Sequence, residues 1–574
     1  MLRILFNFLF KIINFNDYNY LLPLSQWSSS LKGRIIFIAL SFFVIFFLIA
    51  LRIIEISTHS SEYFSFNDNK TLKHRKKIID RNNNVLAINL FAPSVFVNPE
   101  KIINAEQAVK GLKTVLTDID EKKLLDDLNS DKKFVWVKRH LTPKEHEKVY
   151  NLGIPGLEFQ KEYKRVYTYG NLLSHIIGYV GVDMQGLSGL EKSFHGFLTN
   201  SDLYLKQDEF DKPLVLSIDV RVQNIVNEEL ESAIKEFNAI GGVGIVADPN
   251  NGEILALVSK PDFDPHYPAK ATSEQLFNKG SLGVYEFGSV LKTLTMAIGF
   301  DTKTTTMNDL YDLTNLKVSN FQIKDVKKRE GWHSIAEIFC HSSNVGVVQI
   351  ALEVGKDNFK KYLKLLGLTE QLKIELPEKA TPLYPAENNW SDLSTATISY
   401  GYALSISPLH FLQAMIPIVN GGYLYPITLI KREKNNYPVP KKVFDSNTSK
   451  EVNTLLRLGV KYGTSKKADI PGYLVGGKSG TAEKVKGKKY DKNSRRSSFF
   501  GIFPSIKPQY IVYLMLDNPK GNKSTHGFAT AGWTTVPAAG RIISRIGILY
   551  GIQPYEEINN IKDIKIDNKT QDEI

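Results

Sequence analysis

The sequence predicts an α+β multidomain protein: an N-terminal transmembrane helix, an elongated non-catalytic domain, and a domain in which an antiparallel sheet is flanked by helices and carries a helical subdomain. Three observations predict it. The chain has 574 residues, several times the roughly 150 of a typical domain. The run from Ile35 to Leu51 carries no charge and sits at the lower end of the roughly 17 to 25 residues that span a bilayer. From about residue 216 onward, strand-like runs stand early and late with helical patterns between them, the order of a sheet interrupted by a helical insertion.

Residues 1–34 read as a cytoplasmic tail and 35–54 as the anchor, Ile53 and Ile54 extending the span while Arg52 snorkels. The apolar run exceeds the roughly 7 to 15 residues of a signal peptide and no small-residue cleavage site follows, so the anchor stays uncleaved. Arg3, Lys11, Lys32 and Arg34 precede it against Asp17 alone. That bias keeps the N-terminus in the cytoplasm and places the rest of the chain outside. The opening MLRILFNFLFKIINF reads either as an interfacial amphipathic stretch or as a tail.

Residues 55–215 alternate short strands and helices with polar turns and hold no chemical motif that stands alone, as expected of a non-catalytic domain. The domain over 216–552 opens with Asp219, placed to cap a helix whose apolar positions Val222, Ile225, Val226, Leu230, Ala233, Ile234 and Phe237 recur at spacings of three and four. GVGIVADPNNGEILALV follows as two apolar runs around a Pro-Asn-Asn-Gly turn, an antiparallel hairpin. The pattern over 270–465 is helical. Strand texture returns at YLVGG, at Ser498–Phe503 and at Tyr510–Leu516, before a helix from about Val536 to Leu549. Residues 553–574 read as a solvated polar tail.

Composition narrows the function. A hydrophobic fraction of 43% with 23% charged residues excludes a disordered, collagenous or all-membrane chain. The single cysteine, Cys340, excludes an internal disulfide framework and a multi-cysteine metal site; its apolar segment predicts a buried packing role. A net charge of +12 calls for an anionic partner. Nucleic acid, anionic lipid and acidic wall material all qualify; outside the membrane, where ATP and nucleic acid are scarce and lipid-linked and polymeric wall material abounds, the balance points away from DNA.

Three short motifs carry the chemistry. Ser289-Val290-Leu291-Lys292 follows Gly288 at a turn where a helix is expected to begin, so hydroxyl and amine share one face. Serine needs a neighbouring base, and a desolvated lysine with a lowered pKa is one. Ser342-Ser343-Asn344 lies on a break between helical segments, where it supplies a hydroxyl for proton relay and an amide, or simply caps a helix. Lys478-Ser479-Gly480-Thr481 begins or edges a strand: glycine for close approach of substrate backbone, lysine for charge, two hydroxyls for a carboxylate. GYLVGGKS, Gly472 to Ser479, also satisfies the P-loop expression. That reading requires a helix after the serine, and AEKVKGKKYDKNSRR has no apolar face. Lys484 to Arg496, with seven basic residues and one acid, reads as a solvated hairpin loop, or as a device that steers an anionic lipid intermediate. Trp332 and His333 are expected to fix a turn.

Taken together the motifs resemble the class B penicillin-binding proteins, which carry S-x-x-K, S-x-N and K-[ST]-G in this order. RKKIIDRNNNVLAINL from Arg75 and EYKRVYTYGNLLSHIIGYVGVDMQGLSGLEKSF from Glu162 are similar to that family's two N-terminal signatures, and SYGYALSISPLHFLQA from Ser399 and Gly463-Thr464 extend the likeness. The VDMQGLSGLEKSF segment resembles the division-specific, FtsI-type branch. Lys76, Asn83, Phe287 and His266 depart from the pattern. Asn83 can still take the positive φ of a turn, whereas Phe287, in place of a proline, is expected to loosen the turn before Ser289.

The resemblance implies a serine β-lactamase/transpeptidase-like domain and a D,D-transpeptidase that cross-links peptidoglycan stem peptides. Ser289 would attack the D-Ala-D-Ala carbonyl, with Lys292 as base, Ser342 as relay and Asn344 orienting Lys292 and the peptide. Lys478, Ser479 and Thr481 would bind the terminal carboxylate, and the N–H groups of Ser289 and Thr481 would form the oxyanion hole. It further implies acylation by β-lactams, no metal or organic cofactor, no nucleic acid, and a SEDS-type glycan polymerase (FtsW) with other division proteins as partners. The elongation-specific branch, a β-lactam sensor or scaffold, and a β-lactamase or carboxypeptidase are the alternatives.

Overall fold

The computed structural model describes residues 38–52, 75–199 and 212–555, apart from 434, 436 and 488. The N-terminal tail with its amphipathic stretch, both ends of the expected anchor, and the tail beyond Tyr555 lie outside the described residues. The chain divides into two units, Met1–Leu72 and Lys73–Ile574. In the first, 38–52 form a helix whose large apolar side chains are exposed. Among the described residues no helix is long and apolar enough to cross a membrane.

The second unit begins with two small sheets. One has the order Tyr163–Tyr167, Val85–Phe91, Ile78–Ile79, Leu214–Val215; the last pair runs parallel, so the chain leaves and re-enters side by side. Asn83 takes φ +68° in the turn after Ile79, as its short polar side chain allows. The other sheet, with Ser94–Val97 at its centre, packs on three helices around Val95, Leu112 and Leu128. Beneath the first sheet Arg75 and Arg165 share the buried carboxylate of Glu191. Two departures from the family pattern have structural partners: the Lys76 ammonium lies over the Phe197 ring at 4.5 Å, and His266 Nε2 accepts the Tyr167 N–H at 3.0 Å while Nδ1 faces Asp264 at 2.8 Å. His266 thereby joins the N-terminal domain to the C-terminal one.

The C-terminal domain starts at helix α1 (Val220–Glu236), capped by the Asp219 carboxylate, which accepts from the Arg221 N–H. Strands β1 (Gly241–Ala247) and β2 (Ile254–Lys260) form the predicted hairpin. With β3 (Gly476–Lys486), β4 (Lys489–Phe503) and β5 (Tyr510–Asp517) they make a five-stranded sheet in the order β3-β4-β5-β1-β2, antiparallel throughout. Helices α1 and α6 (Thr535–Leu549) cover one face, burying Val226, Leu230, Leu514 and Ile543. The insertion between β2 and β3 covers the other with α2 (Lys292–Asp301), α3 (Ile335–Cys340), α4 (Asn344–Val354) and α5 (Ser446–Lys461).

Two local expectations change. Lys484 to Arg496 is not a loop: β3 and β4 continue through it, with Glu483 opposite Arg495 and Lys484 opposite Asp491, and the Lys484 ammonium pairs with Asp517 of β5 at 2.6 Å. Trp332 and His333 lie in the strand Trp332–Ser334, paired with Leu310–Asp312, where a run of three residues is too short to show a period.

Candidate active site

The site forms where the edge strand β3 meets the first turn of α2 and the break between α3 and α4. Ser289 sits in a 3-10 turn, Gly288–Leu291, that leads into α2. A side chain on Gly480 would lie 2.9 Å from both the Phe287 carbonyl and the Val290 nitrogen, and one on Gly401 would collide with the Gly288 carbonyl. Gly480 thus makes room for the serine turn rather than for substrate backbone. Phe287 does not loosen that turn: it is 3% exposed and stacks on Phe411 with ring centroids 4.7 Å apart, packing that stands in for a proline's rigidity. Glu286 fastens the same turn, accepting from the Ala403 N–H at 2.7 Å and from the Tyr490 hydroxyl at 3.0 Å.

Both lysines are buried, Lys292 at 0% and Lys478 at 2% exposure. Lys292 Nζ lies 2.6 Å from the Ser342 carbonyl, 2.7 Å from Asn344 Oδ1 and 3.2 Å from Ser342 Oγ. Lys478 Nζ reaches Ser342 Oγ and the Ser479 carbonyl, each at 3.0 Å. Loss of solvation holds Lys292 well below the usual lysine range, with nearby Lys478 adding to the effect and Asp325 opposing it; burial brings Lys478 down to about 7. A neutral Lys292 has two N–H groups and a lone pair. The carbonyl and the amide oxygen can only accept, so they take the N–H groups, and the Ser342 hydroxyl is left to face the lone pair. The Ser289 hydroxyl makes no hydrogen bond to a described residue, so its neighbour one turn on is directed to Ser342 and Asn344 instead.

Ser342 takes φ +58°, a conformation unfavourable for serine and held here by its surroundings. Part of that hold is Asp325, which the motifs did not reveal. Its carboxylate accepts from the Ser343 hydroxyl at 2.7 Å and from the backbone N–H groups of Asn344 and Val345 at the start of α4. Ser343, not Ser342, caps α4. The pleat divides the third motif: Lys478 and Gly480 face the serine turn, and on the alternate side Ser479 Oγ meets Thr464 Oγ1 at 2.6 Å while Thr481 Oγ1 accepts the Ala531 N–H at 3.2 Å. No helix follows Ser479, so the P-loop geometry is absent from this segment. Cys340 is 1% exposed and its thiol is pushed up to about 12 by burial, a packing residue.

This arrangement provides a hydroxyl on a helix turn, two buried amines of lowered pKa and a hydroxyl between them, the equipment of acyl transfer through a serine ester. Residues 242–532 match the penicillin binding protein transpeptidase domain and 71–202 the penicillin-binding protein dimerisation domain. The chain belongs to the penicillin-binding protein family, in its class B arrangement. Within that family it is an enzyme of the transpeptidase kind. It is 35% identical over 497 residues, 85% of this chain and 83% of the relative, to the probable peptidoglycan D,D-transpeptidase FtsI of Caulobacter vibrioides. It is 31% identical over 537 residues, 86% and 82%, to the stage V sporulation protein D of Bacillus subtilis. The fold matches penicillin binding protein 3 of Mycobacterium tuberculosis, solved with aztreonam, at a TM-score of 0.67, 22% identity, 84% of this chain and 97% of that one.

Proposed function

We propose that this chain is a membrane-anchored serine D,D-transpeptidase that cross-links peptidoglycan stem peptides through an acyl-enzyme on Ser289, at the septum during cell division. The observation that carries the reading is the pair of buried lysines that meet at Ser342 beside the Ser289 turn. Ser289 Oγ attacks the carbonyl before the terminal D-alanine and its proton passes to the neutral Lys292 amine, which Asn344 orients. As the C–N bond breaks, Ser342 gives its proton to the departing D-alanine nitrogen and takes in exchange the proton held on Lys292. The amine of a second stem peptide then attacks the ester, gives up a proton to Lys292, and Ser289 leaves the acyl carbon and recovers that proton from Lys292. Lys478, protonated at or below about neutral pH, attracts the terminal carboxylate toward Ser479 and Thr481. The N–H groups of Ser289 and Thr481 receive the developing oxyanion, where one lost donor lowers the rate about 100- to 1,000-fold.

The anchor assigned to 35–54 rests on its uncharged run, its basic N-terminal flank and the exposed apolar helix over 38–52. The septal role and a membrane-embedded glycan polymerase of the FtsW type as partner rest on the likeness to the FtsI-named relative. The same basis supports boundaries at 55–215 for the dimerisation-type domain and 216–552 for the catalytic one. The test is covalent labelling by a fluorescent penicillin, with the adduct located by mass spectrometry. An adduct on Ser289 that vanishes in Ser289→Ala is expected; no adduct on a folded protein would overturn the acyl-enzyme reading. A fluorescent fusion at the side wall rather than the septum would replace division by elongation.

A further inference from the structure

The loop that adjoins Asn344 carries charges that acyl transfer does not use. Residues 324–330 read Lys-Asp-Val-Lys-Lys-Arg-Glu and connect two small β-ribbons. The loop is fastened to the site at two points: the Lys324 carbonyl accepts from Asn344 Nδ2 at 2.8 Å, and Asp325 accepts from the Asn344 N–H. Contacts therefore run from Lys478 to Ser342, from Ser342 to Lys292, and from Lys292 through Asn344 to this loop.

The charges on the loop are unevenly matched. Asp325 is committed to the start of α4 through its three hydrogen bonds. Lys328 pairs with Glu330. Neither Lys324 nor Arg329 has a carboxylate within 4.0 Å among the described residues. Arg329 is half-buried, and its guanidinium donates to the Lys327 carbonyl at 3.2 Å. Burial pulls it down from the usual arginine range, opposed by the more distant Asp325. A guanidinium that has lost water without gaining an anion is an unfavourable arrangement, relieved by a ligand carboxylate that its planar fork can bind in two places.

We propose that Arg329, flanked by Lys324, binds a second carboxylate of the peptide substrate, separate from the C-terminal carboxylate assigned to the Lys478 strand, and so selects acidic over amidated stem peptides. The proposal rests on the acyl-transfer reading of Ser289. A substrate whose backbone lies along Asn344 passes the loop that carries both cations, whereas its C-terminal end lies toward β3. The proposed subsite is the place on that path where an acidic side chain upstream of the scissile bond would meet the guanidinium.

The test uses the full chain and two synthetic peptides ending in D-Ala-D-Ala. They differ in one residue upstream of the scissile bond, which carries a free side-chain carboxylate in one and its amide in the other. Release of D-alanine gives kcat/KM for each. The wild type is expected to favour the acid about tenfold, which corresponds to about 1.4 kcal/mol. Arg329→Ala brings the ratio to about one, chiefly through KM, Arg329→Lys keeps part of it, and Arg329→Glu inverts it. A wild type without preference, or a ratio unmoved in Arg329→Ala and Arg329→Glu, overturns the subsite. Penicillin labelling separates the two readings: no Ser289 adduct in the wild type defeats the acyl-enzyme reading itself, and an adduct with an unmoved ratio defeats the carboxylate subsite alone.

Discussion

In the N-terminal domain Arg75 and Arg165 are withdrawn from water onto one carboxylate, Glu191, at 2.5 and 2.7 Å, with all three side chains at most 1% exposed. In the catalytic domain Lys292 and Lys478 are withdrawn as far, and every hydrogen-bond acceptor they meet is neutral. The first cluster keeps its charges, since guanidinium does not deprotonate in proteins and the carboxylate compensates it. The second leaves burial uncompensated, and the response is a lowered pKa, well below the usual lysine range at Lys292 and down to about 7 at Lys478. One arrangement holds a fold together; the other prepares a base.

The contrast can be broken at each end, and the largest effect is expected at the catalytic end. Lys292→Met keeps the volume and removes the base, and acylation by penicillin should fall by roughly 1,000-fold or more in stopped-flow labelling, general bases being worth about 100- to 10,000-fold. Near-normal labelling would mean that another group takes the Ser289 proton. Glu191→Ala strands two buried guanidiniums and is expected to destabilise the protein by about 3–5 kcal/mol, read by urea denaturation, while the folded fraction still forms the Ser289 adduct. If stability is unchanged, the cluster is not what secures the N-terminal domain.

Smaller effects sharpen the same comparison. Lys478 titrates near 7, so a carboxylate-bearing penicillin meets an ammonium below that pH and an amine above it. Acylation kcat/KM is expected to fall as pH rises through about 7, where Lys478 loses its proton. Lys478→Met should lose that limb of the profile, and a limb that survives assigns it elsewhere. Asp325→Asn weakens charge-assisted bonds to Ser343, Asn344 and Val345 and should slow acylation roughly tenfold, for about 1.5–3 kcal/mol per such bond at most. Tyr490→Phe removes one partly exposed bond to Glu286, and a change of about 0.5–1.5 kcal/mol in stability is the smallest effect expected.

Much of this architecture was legible in the sequence because it repeats with a period or stands at a turn. The α1 face, the β1–β2 hairpin and the late strands follow from spacing alone, and Asn83 follows from what its side chain permits. Phe287 was misread because its rigidity comes from Phe411, 124 positions away in the chain. Asp325 and Glu286 escaped for a related reason: each acts on a segment distant in sequence, and a lone carboxylate in a polar loop carries no pattern. The β3–β4 extension through Lys484 to Arg496 escaped because a run of polar and basic residues shows no strand period, and its pairing is invisible until the register is known.

The short parallel pairing of Ile78–Ile79 with Leu214–Val215 has a mechanical consequence. Leu214 donates to the Lys77 carbonyl and Leu216 to the Ile79 carbonyl, each at 2.9 Å, so the strands are clasped where the chain departs and where it returns. A pull on the chain ahead of Ile78, resisted beyond Val215, runs along these strands. Their hydrogen bonds are loaded together in shear rather than opened one after another. The force passes directly into the catalytic domain through the clasp, and residues 80–199 stay off the load path. A growing wall that tugs on this protein would thus reach the Ser289 domain without first unravelling the domain that precedes it.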